Sequence, residues 1–479
     1  MVTFNPRRTL ASALAKSVRT AVRQLNLGGG TSLPGLIAEY VDPDLTRSLV
    51  SQIPNGSIVV SGTNGKTSTS HYLVKAVMKA GLEPITNPEG SNLRRGVCTS
   101  LITHTNTLGN LRASDKTIGI FEVDEGTLPW ALQALSPRIV TITNLFRDQL
   151  DRYFEIDFIA TLWSKSIKQL SPSSILTLNA DDPQVAYLGT NHQGSILYYG
   201  IEDIRHARSC LEHASDSRHC LQCGAELLYE TSYYAHLGHY VCPSCGWRRP
   251  DPIVKAWKVD LLGLEGSQVS VTLKGSEYRL NVQQPGLHNV YNALAAFSAA
   301  IALGINPQIA AEAISTTKNP FGRMEPIEIK GRKAWIALVK NPSGFNQNLR
   351  LVLASQENPI LLLAINDNVP DGRDVSWIWD VDFEVLKGKP KKLMISGKRA
   401  YDLAVRLKYA EVIGDFNKTQ WHVEPDVEKA FWSLHSLIPT LDPIFVLPTY
   451  TAMWSLREGL AKKRLIEPFW EHEQKWLTN

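Results

Sequence analysis

A lysine and a threonine stand directly behind two closely spaced glycines: Val59–Thr69 reads V-V-S-G-T-N-G-K-T-S-T. The apolar run Ile58–Val60 leads into this stretch, and a helical pattern with Tyr72, Leu73, Ala76 and Val77 follows it. Strand, glycine loop, lysine, threonine, helix is the layout of a phosphate cradle. Glycine lets backbone N–H groups approach phosphate oxygens, and a helix N-terminus favours their negative charge. Lys66 is expected to reach the β- and γ-phosphates and Thr67 to hold Mg2+, with Gly62, Thr63, Asn64, Gly65 and Ser68 completing the cradle. The commoner loop has a glycine five residues before Gly65. Here that position is Val60, so the loop is the shorter form G-T-N-G-K-T-S. An ordinary glycine turn before a helix is the bland alternative, and the strand–loop–helix context speaks against it.

Three further sets of residues have chemical potential. The apolar strand Thr117–Phe121 ends in Glu122, Asp124 and Glu125. Carboxylates at a strand end facing a phosphate loop suit Mg2+, which takes oxygen ligands alongside substrate phosphates. In isolation the same acids read as a solvated loop. Cys220-x2-Cys223 and Cys242-x2-Cys245 are separated by 18 residues, each pair followed by a glycine, Gly224 and Gly246. Four thiolates at that spacing suit a closed, structural, tetrahedral Zn2+ site. The remaining Cys98 and Cys210 lack a nucleophile context and are expected to be buried thiols. Finally, the apolar strand Ile360–Ile365 runs into N-D-N-V-P-D-G-R-D-V-S-W-I-W-D, Asn366–Asp380, an acidic loop followed by tryptophans expected to be buried. Read alone, that loop is merely solvated.

The elements that must position these groups follow from periodicity. Strands are expected at 57–61, 118–123, 139–143 and 174–178, and helices at 67–80, 127–135 and 156–170. Such alternation implies a parallel sheet covered on both faces, with active residues at the C-terminal ends of strands. At 479 residues the chain is too long for one core, so two to four domains are expected. With 43% hydrophobic and 20% charged residues it is globular, and a net charge of +4 argues against a nucleic-acid binder. Arg248 and Arg249, in the cysteine-bearing segment, do not make a basic patch. No apolar run is long enough to span a bilayer, and the start lacks a secretory core, so a cytoplasmic location is expected. Residues 9–26 place Leu10, Leu14, Val18, Ala21/Val22 and Leu25 at helical spacing, with a basic opposite face, before Gly28–Gly30 ends the helix. The expectation is a leading helix packed through those leucines with a solvated basic face. Contact with an acidic membrane surface is the alternative.

The phosphate loop, the Glu122 strand end and the stretch Asn144-Leu-Phe-Arg-Asp148-Gln-Leu-Asp-Arg152 together resemble the central ATPase domain of the Mur ligase family. Asn179-Ala-Asp-Asp-Pro183 and Gly286-Leu-His-Asn289-Val-Tyr-Asn292 match it as well. That family activates a carboxylate as an acyl phosphate for attack by an amine. The resemblance implies metal binding by Glu122, placement of Asn289 and Asn292 near the nucleotide base, and placement of Arg323, in Phe321-Gly-Arg-Met-Glu325, near the phosphates. Gln149 stands where amino-acid-adding relatives often carry a metal-binding histidine, and Lys165 stands near the place of their modified lysine.

The inserted cysteine ribbon narrows the resemblance to the MurT branch, from Thr31-Ser-Leu-Pro-Gly35 to Pro448-Thr-Tyr450. These are synthetase subunits of lipid II isoglutaminyl synthases. The fold so implied is α/β: a lead-in over 1–50, a Mur-type central ATPase domain over 51–318 with a zinc ribbon at about 205–255, and a smaller α/β domain over 319–479. The large nucleotide-sugar domain of standard Mur ligases is not seen before the phosphate loop. The implied activity is an ATP- and Mg2+-dependent carbon–nitrogen ligase that amidates the α-carboxylate of D-glutamate in lipid II, working at the cytoplasmic face of the membrane. Ammonia would come from a GatD-type glutaminase in a heterodimer. Asp374, the second acid of D-G-R-D, is similar to the aspartate thought to orient the glutaminase's catalytic histidine, a role that Asp371 and Asp380 could fill on residue type alone. Two other readings stay open: an amino-acid-adding ligase of the Mur or folylpolyglutamate type, and a non-enzymatic ATP-binding zinc-ribbon module.

Overall fold

A computed structural model describes residues 5–24, 32–87, 91–148, 156–208, 211–212, 215–317, 323–414 and 420–467. Three helices lead in: α1 (Pro6–Gln24), α2 (Leu33–Val41) and α3 (Leu45–Val50). The expected packing face of α1 is turned outward, with Leu10 54% and Leu14 40% exposed. The helix docks instead through Arg8, Ala11, Ser12 and Ala15. Small side chains let its backbone approach α2. The cations find fixed acceptors: Arg8 donates to Ser48 Oγ (3.2 Å) and Asn110 Oδ1, and Lys16 to the Thr105 carbonyl (2.7 Å). Leu25 and Gly28–Gly30 lie outside the described residues.

The central domain then alternates β1 (Ser57–Ser61), α4 (Lys66–Lys79), β2 (Glu83–Thr86), α5 (Arg94–Thr103), β3 (Thr117–Glu122), α6 (Leu128–Leu135) and β4 (Ile139–Ile142). It continues with α7 (Ile156–Lys168), β5 (Ile175–Asn179), α8 (Pro183–Leu188) and β6 (Ile196–Ile201). The cysteine segment contributes a hairpin, β7 (Leu228–Tyr234) and β8 (Leu237–Val241), and the chain returns through β9 (Val254–Leu261), β10 (Ser267–Leu273), β11 (Ser276–Val282), α9 (Leu287–Leu303) and α10 (Pro307–Thr316). Nine strands form one sheet in the order β11-β10-β9-β6-β5-β4-β1-β3-β2. It is parallel from β2 to β9, and β10 and β11 add an antiparallel edge. Both faces are covered. Tyr72, Tyr291 and Phe297 pack one face under α4, α9 and α10, while Phe121, Leu132 and Trp163 pack the other. Burial on both sides explains why β1, β3 and β4 are buried at every position and read as mostly apolar without polar alternation.

The last domain holds β12 (Glu325–Ile329), β13 (Arg332–Ile336), α11 (Pro342–Ser355), β14 (Ile360–Ala364), β15 (Lys392–Ser396), α12 (Ala400–Tyr409), β16 (Gln420–Val423), α13 (Val427–Leu437), β17 (Ile444–Pro448) and α14 (Tyr450–Lys462). Its sheet runs β12-β13-β17-β14-β15-β16, parallel except for the β12–β13 hairpin. The acidic loop follows β14, with a short helical turn over Ser376–Asp380. The tryptophans of that turn are not buried as expected. Ile378 fills the core position, Trp377 is half-buried, and Trp379 is 50% exposed. A one-turn helix can send only one side of W-I-W inward, and the aliphatic residue takes it. Among the described residues, no helix is long and apolar enough to cross a membrane.

Candidate active site

Strand register brings the chemistry together. Val60 pairs with Glu122 on one side and Thr141 on the other, so the turn after β1 opens between the ends of β3 and β4. Gly62 and Gly65 take left-handed φ values of 135° and 83°. Added side chains would strike Thr143 Oγ1 and the Asn292 side chain respectively. Lys66 opens α4, and its Nζ donates to the Gly62 carbonyl, the Thr63 carbonyl (3.1 Å) and Glu125 Oε2 (3.2 Å). Thr67 Oγ1 donates to Glu122 Oε1 (3.2 Å). Asn87 clamps the Glu122 backbone from both sides, accepting from its N–H and donating to its carbonyl (2.9 Å each). Burial pushes the Glu122 carboxyl above its ordinary range, which Lys66 and Thr67 partly offset. A hydroxyl and an enclosed carboxylate side by side fit a Mg2+ ion, and neutralisation by that ion would relieve the buried charge. The third carboxylate serves the backbone instead: Asp124 accepts from Thr127 N (2.8 Å) at the start of α6.

Several participants carry no motif. Lys340, from the last domain, donates from Nζ to Asp148 Oδ2 (2.6 Å) and to the Thr63 carbonyl (3.1 Å). Burial would lower the Lys340 ammonium, but Asp148 and Glu125 outweigh it and hold it above its ordinary value. Asn341 caps α11 by accepting from Gly344 N (2.9 Å) and donates to Asn64 Oδ1 (3.0 Å). From below, Asn144 Oδ1 accepts from Asn64 N (2.8 Å). The phosphate loop is thus gripped from both domains. K-N-P-S-G carries the signal of a capped helix start, but nothing in sequence links it to a loop 277 residues earlier. The Asp181–Asp182 pair is structural: Asp182 caps α8 and accepts from Leu145 N (2.8 Å), while Asp181 accepts from Tyr291 Oη (2.7 Å) and Arg249 (2.6 Å).

Between the domains lies a cleft, partly open to solvent, lined by Gly65, Ser68, Asn289, Asn292, Arg323 and Lys340. Asn292 Nδ2 donates to Asn289 Oδ1 (2.9 Å), and Asn289 Nδ2 to the Pro285 carbonyl (2.8 Å). These amides and the phosphate loop therefore face one cleft. His288 also lines it; burial and the neighbouring Arg323 push its imidazole down to about 4. Lys165 is not at this site. It is exposed on α7 and lines a separate groove. Gln149, Asp151, Arg152, Phe321, Gly322 and Thr31 lie outside the described residues.

The acids of the D-G-R-D loop are sorted by their partners. Asp371 is buried and accepts from Thr451 N (2.8 Å), Thr451 Oγ1 and Asn368 N (3.2 Å), tying the loop to α14. Asp380 pairs with Arg147 (3.3 Å). Asp374 accepts through Oδ1 from Ser376 N (2.8 Å), and its other oxygen has no hydrogen bond among the described residues. Nearby, α12 exposes Tyr401 (67%), Val405 and Tyr409 (73%) at four-residue spacing, and Trp379 packs on Tyr409 with ring centroids 5.6 Å apart.

The four sulfurs of Cys220, Cys223, Cys242 and Cys245 lie within 4.8 Å of one another. Cys220–Cys245 is 3.6 Å and Cys223–Cys242 3.4 Å, close to the ~3.8 Å edge of a tetrahedron with Zn–S bonds of about 2.3 Å. Each knuckle closes alike: Gly224 N donates to the Cys220 carbonyl (2.8 Å) and Gly246 N to the Cys242 carbonyl (3.0 Å), both glycines with positive φ. The donor set fits zinc. Cys98 is buried, and its thiol is pushed up to about 12 by that burial; Cys210 lies outside the described residues.

Residues 60–232 match the Mur ligase middle domain, and residues 338–453 match the MurT ligase C-terminal family. The chain is similar to the lipid II isoglutaminyl synthase (glutamine-hydrolyzing) subunit MurT of Staphylococcus aureus, 34% identical over 465 residues, 95% of this chain and 98% of that one. To the subunit of the same name from Streptococcus pneumoniae it is 31% identical, covering 92% and 94%. Among solved structures, a pseudomurein peptide ligase type C from Methanothermus fervidus superposes with TM-score 0.64 at 24% identity, covering 85% of this chain and 79% of that one. MurF from Acinetobacter baumannii gives 0.62 at 16% identity, covering 88% and 80%. These structural likenesses speak to the fold.

Proposed function

The chain belongs to the MurT family of Mur-type ligases, and from that premise we propose that it converts the α-carboxylate of the D-glutamate residue in lipid II to the amide, using ATP and ammonia from a separate glutaminase subunit. The observation that carries the reading is the ring of groups on the phosphate loop: Lys66 with Glu125, Thr67 with Glu122, and Lys340 with Asp148 across the domain boundary. A carboxylate entering between the domains meets two ammonium groups beside a cradle for the γ-phosphate.

ATP occupies the inter-domain cleft, its base near Asn289 and Asn292 and its phosphates on Gly62–Ser68, with Arg323 adding charge. Lys66 is parked on backbone carbonyls and Glu125, one side-chain swing from the phosphates. A Mg2+ ion held by Thr67 and Glu122 would offset phosphate charge. A carboxylate oxygen of the acceptor attacks the γ-phosphorus, the bond to the β,γ-bridging oxygen breaks, and ADP leaves. The nitrogen lone pair of ammonia then attacks the acyl carbon and inorganic phosphate departs. Lys66 and Lys340 supply charge where it develops and hold the reacting groups in line. Glu125 and Asp148 keep those ammonium groups oriented. Zinc on the four sulfurs would be structural.

Ammonia release is tied to complex formation through Asp374. Of Asp371, Asp374 and Asp380 it is the one held only by a neighbouring backbone N–H, that of Ser376, and not by a side chain or a distant element, so it can orient a histidine of the glutaminase in trans. The exposed Tyr401–Val405–Tyr409 stripe with Trp379 is the aromatic-rich kind of surface that a stable partner covers.

The test is amidation of lipid II by the two-subunit complex with glutamine or ammonium as nitrogen source. Lys66→Ala should lose activity with both. Asp374→Asn should lose the glutamine-dependent reaction and keep the ammonium-dependent one. If lipid II stays unmodified with either source while another acid acceptor stimulates ATP hydrolysis, the amino-acid ligase reading replaces this one.

A further inference from the structure

A groove of about 610 Å3 runs between α7, α8 and residues 216–221 of the cysteine segment, apart from the nucleotide cleft. It is cationic. Lys165 and Lys168 line it from one face of α7, and Arg218 and His219 from the opposite wall. All four are exposed, and none makes an ion pair among the described residues. The two acids on its rim do not balance them. Asp216 is taken by Arg147, accepting from its backbone N and its Nε (2.9 Å each), which leaves Asp157 against three permanent cations.

The groove is built rather than incidental. Cys220 belongs to its wall, and Tyr187, which lines it from α8, packs edge-on against Trp247 of the second knuckle at 5.7 Å. The cysteine segment therefore holds one side of the groove against α8. Asp216 on the groove's rim is held by Arg147, whose chain neighbour Asp148 is the carboxylate gripped by Lys340. This run of contacts links the rim of the groove to the phosphate loop.

We propose that this groove binds the diphosphate of the acceptor, so that Lys165, Lys168 and Arg218 recognise the group that joins the sugar to its carrier. The inference rests on the amidation reading above, because it takes the acceptor to be a diphosphate-linked glycopeptide. Lysine ammoniums and an arginine fork are the usual partners of phosphate oxygens. The ribbon then fixes the wall that presents Arg218.

The experiment uses the full two-subunit complex with ammonium as nitrogen source and compares three acceptors. These are lipid II, the water-soluble nucleotide-linked muramyl pentapeptide, and a muramyl pentapeptide with no phosphate. Lys165→Gln/Lys168→Gln and Arg218→Gln should each raise KM for both diphosphate-bearing acceptors by about tenfold, the loss expected of a charge-assisted contact. KM for ATP, kcat and KM for the phosphate-free peptide should stay at wild-type values. Wild-type KM for the nucleotide-linked acceptor should rise with salt, more steeply than in the variants. Equal changes for all three acceptors, or no change for any, would overturn the groove assignment. So would a change confined to lipid II, which would point to attraction to an anionic bilayer. If the wild type amidates no acceptor, the amidation reading itself falls; if it does and the variants match it, only the groove falls.

Discussion

At the scale of single residues, like side chains have been given unlike roles by their neighbours. Lys340 illustrates it: in sequence it is a lysine before a helix, in the structure it sits on the phosphate loop carbonyl and Asp148. Lys340→Ala should lower kcat by roughly 10²- to 10³-fold, as loss of a preorganised charge at a reacting group does, and should lower the melting temperature as well, since Asp148 is left buried without its cation. A fall under threefold in steady-state kinetics would remove it from the mechanism. His288 gives a pH signature. Its folded-state value of about 4 lies below the ordinary 6.5, so the unfolded chain takes up the proton first as pH falls. Stability tied to the neutral imidazole is complete above about 6.5 and drains away toward 4, by up to roughly 3 kcal/mol. Denaturant unfolding across that range should show a flatter pH dependence for His288→Gln than for the wild type. Lys66, Thr67 and Glu122 are legible in sequence because a contiguous loop and a strand end announce them. Glu125 and Asp148 stand out in sequence as a strand-end carboxylate and a member of a family stretch, but their pairing with Lys66 and Lys340 does not, because those partners lie far along the chain. Asp371, Asp374 and Asp380 are alike by type, and only the hydrogen bonds tell an internal tether from an available carboxylate.

At the scale of elements, period identifies a helix or strand more surely than it identifies the buried side. The four strands and three helices expected in the central domain coincide with β1, β3, β4, β5, α4, α6 and α7 to within a residue or two. Their doubly covered sheet makes the apolar runs unambiguous. The first helix fails on its face: Arg8 and Lys16 have better acceptors inward than leucine has contacts, so the leucines are left out. The W-I-W turn fails for a related reason, since a single helical turn offers one inward position. The cysteine ribbon was legible because thiolate spacing and knuckle glycines encode the geometry directly. One zinc per chain is expected in metal analysis, and Cys223→Ser should lose it. A stoichiometric metal retained by the variant would contradict a four-sulfur site. Because binding energy of such sites is folding energy, chelation should melt the β7–β8 segment first, seen as accelerated amide exchange over residues 220–247 with the β1–β4 core still protected.

At the scale of the whole molecule, two α/β domains close on one loop, and the last domain, which carries Asp374, also exposes an aromatic stripe on α12. That stripe was invisible in sequence, where Tyr401, Val405 and Tyr409 look like any helix face. Tyr401→Asp with Tyr409→Asp should weaken the complex by about two orders of magnitude or more, since charges in an interface core leave polar groups unpaired. Ultracentrifugation would read the complex, and ammonium-dependent activity should persist in the variant; loss of both would point to misfolding instead. The most direct measurement of amidation uses this chain alone. It would be incubated with lipid II, ATP, Mg2+ and ammonium, and the intact lipid examined by mass spectrometry with fragmentation of the stem peptide. Conversion of acid to amide is expected on the second residue of the stem, strictly dependent on ATP and absent with Lys66→Ala. Unmodified lipid II, or an amide formed without ATP, would contradict an acyl-phosphate ligase.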